Sequence, residues 1–354
     1  MGGGLKKRGV KFIHTYQDII SLENLLLAWQ EFLRGKRHKK DVQEFQHSLM
    51  DNILSLHHDL KIKTYTHGGY IAFNISDPKP RNIHKALVRD RLLHHAIYRI
   101  LYPYFDVTFI HDSYSCRLGK GIHKAINRFR SFAYKISKNN TKQCFILKCD
   151  IRKSFASIDH ETLLNILKKH ITDKDTMWLL ERVITSFSSF SPLTYSNVLE
   201  NIGIEEKGLP LGNLTSQLLV NIYMNEFDQY IKHKLKIKHY VRYADDFVFL
   251  SNNKLQLIKT FRYIERFLRK NLNLQLHPNK VFIKTLSSGA DFLGWVNFAR
   301  HRVLRNTTKR RMLKNLENNP KEDTRQSYLG MLRWGNTHKL KKEYRDFPLS
   351  VISL

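Results

Sequence analysis

The sequence predicts an α+β fold, and three observations predict it. Val42, Phe45, Leu49, Ile53, Leu56 and Leu60 recur at steps of three and four, one apolar helical stripe of about five turns. Gln143–Asp150 is an apolar run that stops at an acid, the pattern of a buried strand with Asp150 at its tip. Tyr240–Leu250 reads as strand, acidic pair, strand, which suits an antiparallel hairpin turning at Asp245-Asp246. Helices and antiparallel hairpins mixed along one chain define the α+β class.

The remaining elements follow from local chemistry. His67-Gly68-Gly69 is a turn signal between short extended runs, and Asp77-Pro78-Lys79-Pro80-Arg81 is a stiff basic segment. A helix is expected over Lys85–Leu101, ended by Pro103, with Arg89, Arg91 and Arg99 on a basic face. Asp159 is placed to cap a helix whose Leu163, Leu164 and Leu167 face inward. A further helix is expected over Thr215–Leu235, with Leu219, Tyr223 and Phe227 on one face. The tail from Arg300 reads as basic and helical, with a break at Asn319-Pro320.

The composition narrows the function. At 354 residues and 42% hydrophobic content the chain can bury a core with two or three subdomains. Its net charge is +29, spread along the whole length, and a globular protein this basic repels itself unless it meets a polyanion. Nucleic acid is the expected partner. A ribosome-type or chromatin-type packing protein without chemistry stays open on charge alone. Cys116, Cys144 and Cys149 are too few and too irregular for a disulfide framework, and no zinc spacing appears among the 18 histidines. No apolar run approaches a membrane span, and the start lacks a signal-peptide stretch, so a soluble protein of a reducing, cytoplasmic compartment is expected, with no membrane partner.

Three acids stand at strand ends: Asp150, Asp245 and Asp246. Two strand tips side by side in one sheet would bring them together. Clustered carboxylates resist ionising unless a cation joins them. Mg2+ suits hard oxygen ligands and substrate phosphates, and two such ions about 3.5–4 Å apart can activate a 3′-hydroxyl and stabilise leaving pyrophosphate. Each signal alone has an ordinary reading, since Asp-Asp makes exposed turns and Asp150 could cap the residues after it.

Taken together, the motifs carry a resemblance. Tyr243-Ala244-Asp245-Asp246 resembles the Tyr-x-Asp-Asp signature of reverse transcriptases. Asp150 with Phe155, then Leu209-Pro210-Leu211-Gly212, then Phe292-Leu293-Gly294-Trp295 resemble that family's flanking motifs, in the same order over roughly residues 75–300. The resemblance implies a right-hand polymerase that copies RNA into DNA. Its expected parts are an N-terminal helical extension over 1–60, fingers over 61–147, and a palm over 148–290 with a fingers-associated insertion at about 160–206. A palm–thumb hairpin and helical thumb are expected over 291–354, with only a thumb fitting between Trp295 and Leu354. Implied metal ligands are Asp150, Asp245, Asp246 and the Ile151 carbonyl, for two Mg2+ ions or Mn2+ in their place. Lys280 resembles the lysine that protonates pyrophosphate, although an ordinary surface lysine fits it nearly as well. Lys79 and Arg81 resemble the triphosphate clamp, Phe155 the ring that excludes a ribose 2′-hydroxyl, and Leu211, Gln217 and Tyr243 complete the nucleotide site. Arg89, Arg91, Arg117 and Lys120 are the expected contacts to template RNA and cDNA heteroduplex.

The subtype rests on Leu211-Gly212-Asn213-Leu214-Thr215-Ser216-Gln217, where most of the family carries Gln at the first position and Ser-Pro later. This stretch resembles the enzymes of diversity-generating retroelements. So do Val88-Arg89-Asp90-Arg91, Asp112-Ser113-Tyr114-Ser115-Cys116-Arg117-Leu118-Gly119-Lys120-Gly121 and His123. That likeness implies misincorporation at template adenines, because Leu211 offers bulk without a donor or acceptor. It also implies a small basic accessory protein. The rival expectations are a group II intron-type or defence-associated reverse transcriptase and, outside enzymes, a basic RNA-binding protein on a polymerase-like scaffold.

Overall fold

A computed structural model describes residues 11–76, 80–188, 207–318 and 321–346. The chain opens with four helices, α1 (Tyr16–Ile20), α2 (Leu22–Phe32), α3 (Lys40–His47) and α4 (Leu49–Lys61). The stripe expected as one helix is thus two. Ser48 leaves helical geometry at φ −114°, ψ 46°, and the Asn52 side-chain amide takes the Phe45 carbonyl at 2.9 Å. Val42, Ile53, Leu56 and Leu60 are fully buried, whereas Phe45 and Leu49, on either side of the break, are only half-buried.

A hairpin follows, β1 (Tyr70–Ile75) and β2 (Arg81–Ala86), paired from Tyr70↔Ala86 to Ile75↔Arg81. The next helix, α5 (Val88–Thr108), starts three residues later than its periodicity predicts and runs through Pro103. Lys85 and Ala86 are held back by strand pairing with Ile71 and Tyr70. An interior proline costs ~3 kcal/mol, and burial of Leu101, Tyr102 and Phe105 around it supplies packing that offsets the loss. Then come α6 (Ile122–Ile136), β3 (Phe145–Asp150), a 3-10 turn over Ser154–Ser157, α7 (His160–Lys168) and α8 (Lys174–Thr185). Asp159 caps α7 by accepting from the Thr162 N–H at 2.8 Å. Ile166 joins Leu163 and Leu167 in the core, and Leu164 stays half-buried.

Helix α9 (Leu214–Gln229) passes into a π-helical turn over Tyr230–Lys234. It is buried nearly all round, including Leu219, Tyr223 and Phe227. Strands β4 (Tyr240–Tyr243) and β5 (Asp246–Ser251) precede α10 (Lys254–Leu272), which buries Leu257, Ile264, Leu268 and Leu272. The turn is one residue earlier than expected. Ala244 and Asp245 make it, with Ala244 at φ +54°, and Asp246 is already in the ladder opposite Tyr243. Strand β6 (Phe282–Thr285) completes a four-stranded antiparallel sheet ordered β4-β5-β3-β6.

Phe292–Trp295 is the turn of a hairpin, β7 (Ala290–Phe292) and β8 (Trp295–Asn297). A third strand, β9 (Arg302–Leu304), pairs with β8, so the tail expected to be helical from Arg300 first extends that sheet. Helices α11 (Asn306–Asn318), α12 (Glu322–Leu332) and α13 (His338–Arg345) follow. The expected break at Asn319-Pro320 lies outside the described residues.

The chain divides into two compact units, each assembled from three stretches. One comprises residues up to Ile110, Arg152–Leu235 and Phe267–Gln275; α5 packs there against α2 and α9. The other comprises His111–Ile151, Lys236–Arg266 and the residues from Leu276 onward. Its core seats Phe129, Phe132 and Ala133 of α6 on Ile146, Val241, Val248 and Leu250 of the four-stranded sheet, with Phe292 alongside. A neighbouring cluster packs Trp295 with Met312, Leu316, Leu332 and Tyr344.

Candidate active site

The middle strands of the four-stranded sheet carry the acids. Asp150, the last residue of β3, pairs with Asp246, the first of β5. The turn holding Asp245 is tied to the tip of β3, because the Ile151 N–H donates to the Asp245 carbonyl at 3.2 Å. Long-range pairing therefore brings the three acids of the sequence to one end of one sheet. Ile151 itself is buried and forms an antiparallel bridge with Leu276.

The electrostatics suit a cation. Asp246 Oδ1 is buried and lacks a hydrogen-bond partner among the described residues. Burial pushes the Asp246 carboxyl up to about 6; Lys148 opposes that shift, while Asp150 and Asp245 add to it. Lysines supply the compensating charge. Lys148 Nζ lies 3.2 Å from Asp246 Oδ2, and Lys280 Nζ donates to Asp150 Oδ1 at 2.8 Å. Among the described residues no three His, Cys, Asp or Glu side chains converge as a ready metal cage. An all-protein cage is not what Mg2+ requires, since it commonly takes one or two carboxylates and completes its shell with water and substrate phosphate. An orphaned carboxylate oxygen beside a second carboxylate fits that donor set.

Two residues here escape a reading of the sequence. Lys148 interrupts an apolar strand, and alternation puts it on the face of Asp150. That polar interruption was its only signal. Arg242 is fully buried, yet it looks like a strand residue flanking a motif. Its guanidinium donates to the Ala244 carbonyl at 3.1 Å and to Ser113 Oγ at 3.1 Å. The Ser113 backbone also bridges to Arg242 in parallel, with Arg242 N–H donating to the Asp112 carbonyl and Tyr114 N–H to the Arg242 carbonyl. Asp112 in turn accepts from Arg128 at 2.7 Å. The Asp112–Gly121 segment thus braces the acid-bearing turn. Within it Arg117 donates to the Ser113 carbonyl at 3.1 Å, and Lys120 donates to the His111 carbonyl and lies over the Tyr114 ring. Tyr243, half-buried, has its hydroxyl pushed up by burial.

The other unit gathers most of the expected nucleotide residues. The Phe155 carbonyl accepts from the Leu209 N–H at 2.8 Å, and the Leu211 carbonyl accepts from the His84 N–H at 2.8 Å. Asn213 donates to the His84 carbonyl and accepts from the Ala86 N–H. The Leu-Pro-Leu-Gly segment is therefore spliced to the 3-10 turn on one side and to β2 on the other. Gly212 makes this possible: it sits at φ +117°, and a Cβ there would lie 2.8 Å from Ile83. Phe155 and Leu211 are half-buried, while Gln217 and Arg81 are exposed. Lys79 lies outside the described residues.

The basic face of α5 is used differently from its appearance in sequence. Arg89 pairs with Asp59 and Arg91 with Asp41, both at 2.5 Å, and Arg99 pairs with Glu31. These arginines cross-brace α5 to the N-terminal helices. Beneath them His94 is fully buried, bonded to Thr215 Oγ1 at 2.5 Å and 3.2 Å from His67. Burial, then the neighbouring His67 and His95, lower its pKa to about 3.

A family model described as reverse transcriptase (RNA-dependent DNA polymerase) matches residues 76–297. Protein YkfC of Escherichia coli is 24% identical over 286 residues, covering 71% of this chain and 70% of its own length. The putative COX1/OXI3 intron 2 protein of Saccharomyces cerevisiae is 23% identical over 288 residues, 65% of this chain and 31% of that protein. The group II intron-encoded protein LtrA of Lactococcus lactis is 23% identical over 272 residues, 58% of this chain and 42% of that protein. The chain thus spans less than half the length of both intron proteins. Among solved structures, apo telomerase from Candida tropicalis truncated from its C-terminal domain superposes with a TM-score of 0.48 at 12% identity, covering 72% of this chain and 60% of that one.

Proposed function

Because the chain belongs to the reverse transcriptase (RNA-dependent DNA polymerase) family, we propose that Asp150, Asp245 and Asp246 form its nucleotidyl-transfer centre. The observation that carries this is the buried Asp246 oxygen, without a hydrogen-bond partner among the described residues, beside Asp150 in a chain of net charge +29. Two Mg2+ ions bound there would lower the barrier to attack by the primer 3′-hydroxyl and stabilise the leaving pyrophosphate. The residues of the chain do the rest. Asp150 and Asp246 supply oxygen ligands, and Asp245 adds a third carboxylate from the turn. Lys148 and Lys280 orient the carboxylates of Asp246 and Asp150, and Lys280 is also the proton source for pyrophosphate. Arg81 and Lys79 hold the triphosphate, and Phe155 excludes the ribose 2′-hydroxyl. Template RNA, the growing cDNA and dNTPs are the partners. No helix among the described residues is long and apolar enough to cross a membrane. Primer extension on an RNA template with Mg2+ tests the reading: activity from the wild type that is lost in Asp245→Ala supports it, and equal activity from both proteins overturns it.

The subtype reading is mutagenic copying in a diversity-generating retroelement, with a small basic accessory protein. Leu211 supports it: its backbone is fixed by His84 while its side chain offers the incoming nucleotide no hydrogen bond. The error spectrum on an RNA template decides, since this reading requires excess errors at adenines and their reduction by Leu211→Gln. The similarity to intron-encoded proteins favours a second reading, a group II intron-type enzyme, for which the adenine error rate would match that at other bases.

A further inference from the structure

The unit that holds the acids also contains a cavity of about 590 Å³, far from them. The N–H of Leu286, in its wall, donates to the carbonyl of Cys144, the residue before β3, whereas Asp150 ends that strand. Six residues of extended chain separate the two ends by roughly 20 Å. The cavity lies between α6 and the loop joining β8 to β9.

Among the described residues its lining contains no acid. Arg130, Arg300, Arg302 and His301 contribute to it, together with Asn127 and the aromatic rings of Tyr134 and Phe298. Arg302 is the anomaly. It is 9% exposed and gives one guanidinium nitrogen to Asn127 at 2.9 Å. Its other terminal nitrogen, Nη1, is buried with no hydrogen-bond partner among the described residues. Burial and the adjacent Arg130 charge both lower the Arg302 pKa. A buried donor left unmet is costly, and two like charges facing one cavity add to the cost. An anion with several acceptor oxygens would relieve both. Exposed Tyr134 and the stacked Phe298–His301 pair, with ring centroids 4.7 Å apart, offer flat faces beside the arginines. Phosphate oxygens for the arginines and a π-face for a base are the two needs of a nucleotide unit.

We propose that this cavity is a second RNA site, which holds one phosphodiester between Arg130 and Arg302 and stacks an unpaired base on Tyr134. It is separated from the polymerase centre and would anchor a single-stranded part of an RNA whose copied part lies elsewhere. The proposal rests on the chain acting on RNA, but the site does not need the chemistry of the acids.

The test uses the full chain and two readouts. Fluorescence anisotropy measures binding of a fluorescein-labelled single-stranded 12-nucleotide RNA over a salt series, with AMP and inorganic phosphate as competitors. Extension of a pre-annealed primer–template at saturation measures the polymerase. Arg130→Gln, at an exposed position, is expected to weaken RNA binding about fivefold or more and to reduce the salt slope by about one. Tyr134→Ala should weaken it about fivefold with the salt slope unchanged, as lost stacking requires. Arg302→Met should match Arg130→Gln, and if it fails to fold, Arg130→Gln decides. Extension should stay within about twofold of wild type in the Arg130 and Tyr134 variants. RNA affinities within twofold of wild type in both would overturn the proposal. Displacement of the RNA by AMP or phosphate at micromolar levels would also overturn it, assigning the cavity to a free nucleotide or ion. Loss of extension in parallel with RNA binding would overturn it too, by placing these residues on the duplex path. A wild type that cannot extend primers while the RNA readout behaves as expected would sink the polymerase reading and leave this site standing.

Discussion

Two hairpins of the molecule, β1–β2 and β4–β5, share antiparallel pairing and little else. In β4–β5 nearly every residue is buried, the turn holds Ala244 in a left-handed conformation, and Arg242 clamps that turn from below. In β1–β2 half of the residues are exposed, including Ile71 and Phe73, and the ordered anchoring lies at its base, where His84 and Ala86 meet Leu211 and Asn213. On the proposed function the difference separates two tasks. Carboxylates proposed to hold a cation would need positions set in advance, and they sit on a buried sheet whose strained turn is braced. Groups proposed to meet an incoming nucleotide would need exposed surface, anchored here at the base of the hairpin.

The sharpest break in this comparison is chemical. Asp246→Asn keeps the shape of β4–β5 and removes the charge; primer extension should fall about a thousandfold or more, a loss of roughly 4 kcal/mol in transition-state stabilisation, with the circular dichroism spectrum retained. Comparable extension by this variant would mean that the tip is structural.

Arg242→Met tests the brace. Hydrogen bonds to a charged group are each worth about 1.5–3 kcal/mol, so unfolding stability should drop by about 3 kcal/mol and extension should fall with it. Unchanged stability in a urea titration would show that the turn holds itself.

Acidification should move the two regions in opposite directions in the metal-free protein. His94 is depressed to about 3 when folded, below its ordinary value of 6.5, so the unfolded chain binds the extra proton between those limits. Stability in the unit bearing β1–β2 is therefore lost as pH falls through 6.5 toward 3, by about 2 kcal/mol at pH 5. Asp246 is raised to about 6, so its contribution to stability is fully present below its ordinary value near 3.8 and is lost as pH rises through 6. Amide exchange at pH 7 and pH 5, corrected for intrinsic rates, should show lower protection around His94 and Thr215 and steady or higher protection in β5. The same direction in both places would contradict this account.

Gly212→Ala should cost about 1–3 kcal/mol from its positive φ, raise KM for dNTPs, and leave protection of β4–β5 unchanged. The smallest effect belongs to the surface. Ile71→Ser with Phe73→Ser should alter stability by no more than about 0.5 kcal/mol, as measured by thermal melting, because both side chains already face solvent.

Periodicity and composition were enough for the α+β class, the Asp159 cap, the strand ending at Asp150 and the acid-bearing hairpin, because each rests on neighbours a few residues apart. Tertiary structure alone decided the rest. It broke the first stripe at Ser48, carried α5 through Pro103, added β9, turned the arginines of α5 inward to acids, and set Lys148, Arg242 and Arg302 as buried charges. The reason is electrostatic as much as steric. A charge can be buried only where distant parts of the chain bring it donors, acceptors or an opposite charge, and no local pattern records which distant parts those are.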